Sequence, residues 1–179
     1  MRLEIKDIKG GVLEQDYSCT FADFPELKTM SDHGGPTFVE PFSFHLRFQR
    51  TGQLVELGGR VAADILLNCG RCLKEFRLSV TDSFSLTFSP VPQEGVEEEE
   101  VELDADELGL ITYRDDVLDL TAPLLEQLVM VVPISPVCSD GCQGLCPECG
   151  LDLNDSRCTC EKKVFNNKFS VLAGLKLKS

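Results

Sequence analysis

Eight of the nine cysteines fall into four close pairs: Cys69 with Cys72, Cys138 with Cys142, Cys146 with Cys149, and Cys158 with Cys160. Two thiolates separated by two residues chelate one ion when the backbone between them turns back and aims its amides at the sulfurs. A glycine after the second Cys permits the positive φ that this turn wants. Cys146-Pro147-Glu148-Cys149-Gly150 has that form, the form of a zinc knuckle. Together with Cys158 and Cys160 it supplies four thiolates, the donor set Zn²⁺ takes in closed structural sites. Cys69 with Cys72, and Cys138 with Cys142, each provide half of a second site, complete if the tail folds back along the end of a sheet. A competing grouping draws one site from Cys138 or Cys142 plus the knuckle. Iron fits four thiolates as well as zinc does, and zinc is the more frequent resident, so one or two structural zinc ions are expected. Cys19, beside Thr20 and Phe21, reads as an ordinary buried thiol.

Thiols persist in a reducing compartment. The opening segment MRLEIKDIKG alternates in polarity and lacks the roughly 7 to 15 residue apolar stretch of a secretory signal, which points to the cytoplasm. The longest strongly apolar run, 124–133, is interrupted by Glu126 and Gln127 and falls short of the roughly 20 residues that span a bilayer, so no membrane association is expected. Nothing suggests an enzyme. Four thiolates leave no ligand position open to water, His33 and His45 lack a nucleophile motif such as GxSxG, and no GxxxxGK[ST] or GxGxxG is present to hold phosphates. No small-molecule substrate is expected.

Hydrophobic periodicity predicts a mainly β fold of the α+β kind: an antiparallel sheet or partly open barrel, one covering helix and a small C-terminal zinc-ribbon-like module. A first strand is expected over 3–8, a loop over 29–41, and a strand where Phe42, Phe44, Leu46 and Phe48 alternate with polar residues. Val55 and Leu57 begin another. Gly58 and Gly59 suggest a bulge or tight turn before Val61, Ala63, Ile65 and Leu67 resume the alternation. CGRC at 69–72 is then the tip of a hairpin whose second strand carries Phe76, Leu78, Val80, Phe84, Leu86 and Phe88. Leu124, Leu125, Leu128, Val129 and Val132 recur at helical spacing over 122–132, with Thr121 as cap, Pro123 in the first turn and Pro133 as stop. The chain divides accordingly into a β domain, 1–135, with an acidic insert at 93–108, and a cysteine-rich module with a basic tail, 136–179.

The formal charge of -13 opposes a protein that grips nucleic acid by overall phosphate neutralisation. The distribution is uneven, however: residues 94–107 contain nine acidic side chains and no basic one, whereas 161–179 contain five lysines and one glutamate. Arg60, Arg71, Lys74 and Arg77 around the hairpin, with Lys162, Lys163 and Lys168 in the tail, are the candidate RNA-binding residues if metal ties hairpin and tail into one basic face.

Three stretches resemble the YceD (DUF177) family of large ribosomal RNA subunit accumulation proteins. CGRCL at 69–73 is similar to the family's CxRCL, and PVCSDGCQGLCPECGLDLN at 136–154 is similar to its cysteine-rich tail ending in GLCPxCGxxLN. Residues 166–175 resemble its terminal DPRxxxLxxL, with Asn166, Asn167 and Lys168 in place of Asp-Pro-Arg. The resemblance implies a non-enzymatic role in accumulation or maturation of large-subunit ribosomal RNA during ribosome assembly. The expected partner is ribosomal RNA or a large-subunit ribosomal protein. The alternative is a zinc-dependent adaptor that binds a basic ribosomal protein through its acidic segment.

Overall fold

The computed structural model describes residues 1–91 and 109–160. The acidic insert and Lys162, Lys163 and Lys168, together with 166–175, lie outside the described residues.

Among the described residues the fold is mainly β with two α-helices. A five-stranded sheet runs in the order β2 (Val12–Cys19), β3 (Thr37–Thr51), β4 (Leu54–Asn68), β5 (Glu75–Pro90), β6 (Leu110–Tyr113), and β1 (Arg2–Glu4) pairs with β7 (Val117–Asp119) in a separate ribbon. The first four strands of the large sheet are antiparallel and β6 joins β5 in parallel, so the sheet is mixed and stays open, not a closed barrel. Period-2 alternation decides which face is buried: Phe42, Phe44, Leu46 and Phe48 on β3 and Val55, Leu57, Val61 and Ile65 on β4 point into one core. Rings from outside the sheet close over it, with Phe24 at 6.0 Å from Phe42 and 6.2 Å from Phe44.

Two helices contribute to that core, not one. α1 (Pro25–Asp32) occupies the first part of the segment expected to be a loop, and β3 already begins at Thr37. Only Leu27 of α1 is fully buried, too few apolar positions to register as a helical period, and Pro25 sits at its start, where a missing N–H costs nothing. α2 (Thr121–Met130) buries Pro123, Leu124 and Leu128. Thr121 does not cap it. Asp119 Oδ1 accepts the Thr121 N–H at 3.0 Å, and the Thr121 hydroxyl is the partner of the N-terminal ammonium.

Two further expectations are corrected, and one unassigned stretch is filled. The first strand stops at Glu4 and the chain turns through Ile5–Asp7 in a 3-10 turn that buries Ile5. β2 replaces an unassigned stretch; as an edge strand with half-buried side chains its alternation is faint. Gly58 and Gly59 form neither bulge nor turn, because β4 passes through both in continuous register with β3 and β5. A Cβ on Gly59 would lie 2.1 Å from the Phe84 ring, which covers that position from the next strand.

Candidate metal centres

The β4–β5 hairpin ends on Cys69 and Cys72. Its tip is closed by the Leu73 N–H donating to the Cys69 carbonyl at 2.9 Å, with Leu73 left-handed at φ 61. The knuckle at 146–150 repeats the construction: the Gly150 N–H donates to the Cys146 carbonyl at 2.9 Å, with φ 72 at Gly150. Both CxxC turns are therefore one backbone motif, and only the second announces itself by a glycine.

The hairpin tip docks on the segment that follows α2. Gly70 N–H donates to the Pro136 carbonyl at 2.8 Å and Leu145 N–H to the Arg71 carbonyl at 3.1 Å. A Cβ on Gly144 would stand 3.0 Å from that same Arg71 oxygen, so this glycine permits the approach. The result is two groups: Cys69, Cys72, Cys138 and Cys142, and Cys146, Cys149, Cys158 and Cys160, with the sulfurs of each within 4.8 Å of one another. Neither Cys138 nor Cys142 joins the knuckle.

The donor sets fit a metal ion. Four sulfurs at the usual Zn–S length of about 2.3 Å lie about 3.8 Å apart along the edges of a tetrahedron. Cys69 and Cys142 sulfurs are 3.8 Å apart and Cys72 and Cys138 3.7 Å; in the second group Cys149 and Cys158 are 3.5 Å apart and Cys146 and Cys158 3.4 Å. These separations far exceed a disulfide bond of about 2.05 Å. Either group could hold a metal ion.

Hydrogen bonding splits the thiols of each group: Cys138 and Cys160 are pushed up, each first by a neighbouring sulfur, and Cys72 and Cys149 are raised as well, while Cys69 and Cys146 are favoured as thiolates. Backbone N–H groups led by that of Cys72, with those of Cys138 and Arg71, bring the Cys69 thiol down to about 6. The amides of Cys149 and Glu148 bring Cys146 to about 7. Outside the groups, burial pushes the Cys19 thiol up to about 11. The groups differ in access: Cys69, Cys72 and Cys142 are buried and only Cys138 is exposed, whereas in the second group Cys149 and Cys160 are exposed.

Residues outside the cysteines join the two groups. Asn154 Nδ2 donates to the Cys142 sulfur at 3.5 Å while its Oδ1 accepts the Gln143 N–H at 2.8 Å. Lys74 Nζ lies 2.8 Å from both Asp152 and Asp155, and its contact with Asp152 is an ion pair rather than a well-directed hydrogen bond. Asp152 first and Asp155 second raise the Lys74 ammonium above its ordinary range, and Lys74 in turn holds the Asp152 carboxyl low. None of these four was singled out by cysteine spacing, although Asp152 and Asn154 lie inside GLDLN.

The four described basic candidates do not form one face at the tip. Arg71 donates to the carbonyls of Asp140 at 3.2 Å and Cys142 at 3.0 Å. Lys74 is held by its two aspartates, and Arg77 by Asp64 at 2.5 Å. Arg60 sits eight residues before the end of β4, opposite Ser83.

Residues 57–176 match the family described as Large ribosomal RNA subunit accumulation protein YceD. An uncharacterized protein of Mycobacterium tuberculosis strain H37Rv is 34% identical over 108 residues, covering 60% of this chain and 49% of its own length. A protein of Arabidopsis thaliana named Large ribosomal RNA subunit accumulation protein YCED homolog 1, chloroplastic, is 25% identical over 186 residues, covering 93% of this chain and 58% of its own. A Zea mays protein of the same name is 26% identical over 140 residues, covering 64% and 46%. The chain thus spans about half the length of the curated relatives it matches. No solved structure matches it significantly. Among the described residues no helix is long and apolar enough to cross a membrane.

Proposed function

We propose, from the premise that this chain belongs to the YceD family, that it is a non-enzymatic cytoplasmic factor for accumulation of large-subunit ribosomal RNA. In this reading it is built around two structural zinc ions. The observation that carries the zinc part is the pair of four-thiolate groups with sulfur separations near a tetrahedral edge. Cys69, Cys72, Cys138 and Cys142 staple the β domain, 1–135, to the module, 136–179, and Cys146, Cys149, Cys158 and Cys160 fold the module itself. Four thiolates complete each coordination sphere, so the metal supplies folding energy and no reactive water. Contact with RNA belongs to the same reading, with Arg60, Arg71, Arg77 and the tail lysines as its candidates.

Two measurements test this. Metal content by mass spectrometry on protein purified without added metal, paired with a thiol titration of the folded protein, should give two zinc ions per chain and at most one reactive thiol, the buried Cys19. No metal and nine free thiols would overturn the zinc reading. In the source cell, removing the gene should lower large-subunit relative to small-subunit ribosomal RNA, and the intact chain should restore it; an unchanged ratio overturns the cellular role.

A second reading is favoured by charge. Among the described residues twenty acidic side chains face twelve basic ones, and the hairpin cations Lys74 and Arg77 are already held by aspartates. An adaptor that captures a basic ribosomal protein uses this surplus. Its signature is binding to such a protein that is lost on deleting 94–107.

A further inference from the structure

We propose that the solvent face of the sheet around Gly58 binds the phosphodiester backbone of single-stranded RNA. Gly58 carries the argument. It lies in the middle of a 15-residue strand, where glycine weakens a sheet and often marks close approach of another group. Its neighbour Gly59 is required by the Phe84 ring, but nothing comparable excludes a side chain at Gly58: a Cβ there meets only the Arg47 carbonyl oxygen, at an ordinary 3.9 Å. Nor is its φ positive.

Gly58 lines a shallow dent of about 470 Å³, and cross-strand register supplies its rim. One row reads Glu14, Arg47, Gly58, Ser85 across β2 to β5, and the next reads Asp16, His45, Arg60, Ser83. Arg47 is 3.6 Å from Glu14, and His45 Nδ1 is 2.7 Å from Asp16 Oδ1, so both are steered from the β2 side. The Arg60 side chain has no hydrogen bond or ion pair among the described residues. A phosphate entering over Gly58 meets the Arg60 guanidinium, the Ser83 hydroxyl beside it and Arg47 beyond, a set suited to backbone contact without base readout. The choice of RNA over another polyanion rests on the ribosomal reading above. The site itself is distinct from the hairpin tip, where Arg71, Lys74 and Arg77 are already engaged.

The full chain is tested by fluorescence anisotropy with a labelled single-stranded RNA oligonucleotide over a salt series, beside thermal melts. Gly58→Val puts the side chain of a good strand former into the dent. It should keep or raise the melting temperature while weakening RNA binding on the order of ten-fold. Arg60→Glu should weaken binding at least as much, and Arg60→Ala should flatten the log–log salt slope by about 0.7 to 1. Glu14→Gln, which frees Arg47, should tighten binding. Lys28→Glu on α1, the same charge change as Arg60→Glu, should have a much smaller effect.

A Gly58→Val chain that melts lower yet binds RNA normally would mean that the glycine serves the bend of the sheet, and the proposal fails. It fails too if Lys28→Glu costs as much as Arg60→Glu. A wild-type chain that restores ribosomal RNA levels but binds no RNA overturns this site and leaves the assembly role standing. RNA binding at Gly58, with ribosomal RNA levels indifferent to the gene, does the reverse.

Discussion

Leu73 holds a backbone conformation that its side chain opposes. At φ 61 an L-residue other than glycine pays for the crowding of its Cβ, and Leu73 recovers little in return because it is 66% exposed. The turn requires the conformation so that the Leu73 N–H can close on the Cys69 carbonyl, as Gly150 does on Cys146. Leu73→Gly is therefore expected to stabilise the protein by about 1 kcal/mol in urea unfolding. A variant no more stable than wild type would show that Leu73 makes a compensating contact.

At the level of the element, β4 is a strand that carries two adjacent glycines without interruption, and the packing across it explains one of them. Phe84 on β5 lies over Gly59, with its ring 6.5 Å from that of Phe44 on β3, so three strands share one aromatic contact through the gap. Gly59→Ala forces the ring aside and should cost on the order of 1 to 3 kcal/mol. The same substitution in a Phe84→Ala background should cost much less, because the clash is gone. Chemical denaturation of the four chains of this cycle reads the coupling directly, and additive effects would rule the packing explanation out. The helices obey the same logic of pattern and burial. α2 was legible because Leu124 and Leu128 repeat on one side, whereas α1 was not, because one leucine makes no period.

For the whole molecule the question is what keeps the hairpin tip on the C-terminal module. Backbone hydrogen bonds, the first cysteine group and the Lys74 ion pairs act on the same junction. The ion pairs give it a pH dependence of definite sign. Asp152 titrates below its ordinary value in the folded protein, so its contribution is present above about pH 4 and is lost as pH falls through the depressed folded value. Lys74 titrates above its ordinary value, so its contribution is full below about pH 10 and fades only as pH rises beyond that. In Lys74→Ala the stability difference from wild type should hold steady through neutral pH and shrink on acidification. Taking the difference cancels any acid release of metal that is common to both chains. A difference that does not change with pH would mean that the pairs are screened out by solvent.

Elements whose signal is local are legible in the order of the amino acids. Alternating apolar residues produced β3, β4 and β5, the leucine period produced α2, and the CxxC spacing with Gly150 produced the knuckle, because each depends on neighbours within a few residues. The same order also singles out eight cysteines as four pairs. How the pairs combine is set by long-range folding, since Cys69 and Cys142 are 73 residues apart and meet because the hairpin tip lies against 136–145. The same is true of charge. Arg60, Arg71, Lys74 and Arg77 look alike in a list of basic residues, and folding distinguishes them by giving three of them partners within the chain and leaving Arg60 facing solvent over Gly58. Partners of that kind come from strands and loops remote in sequence, and no local pattern encodes them.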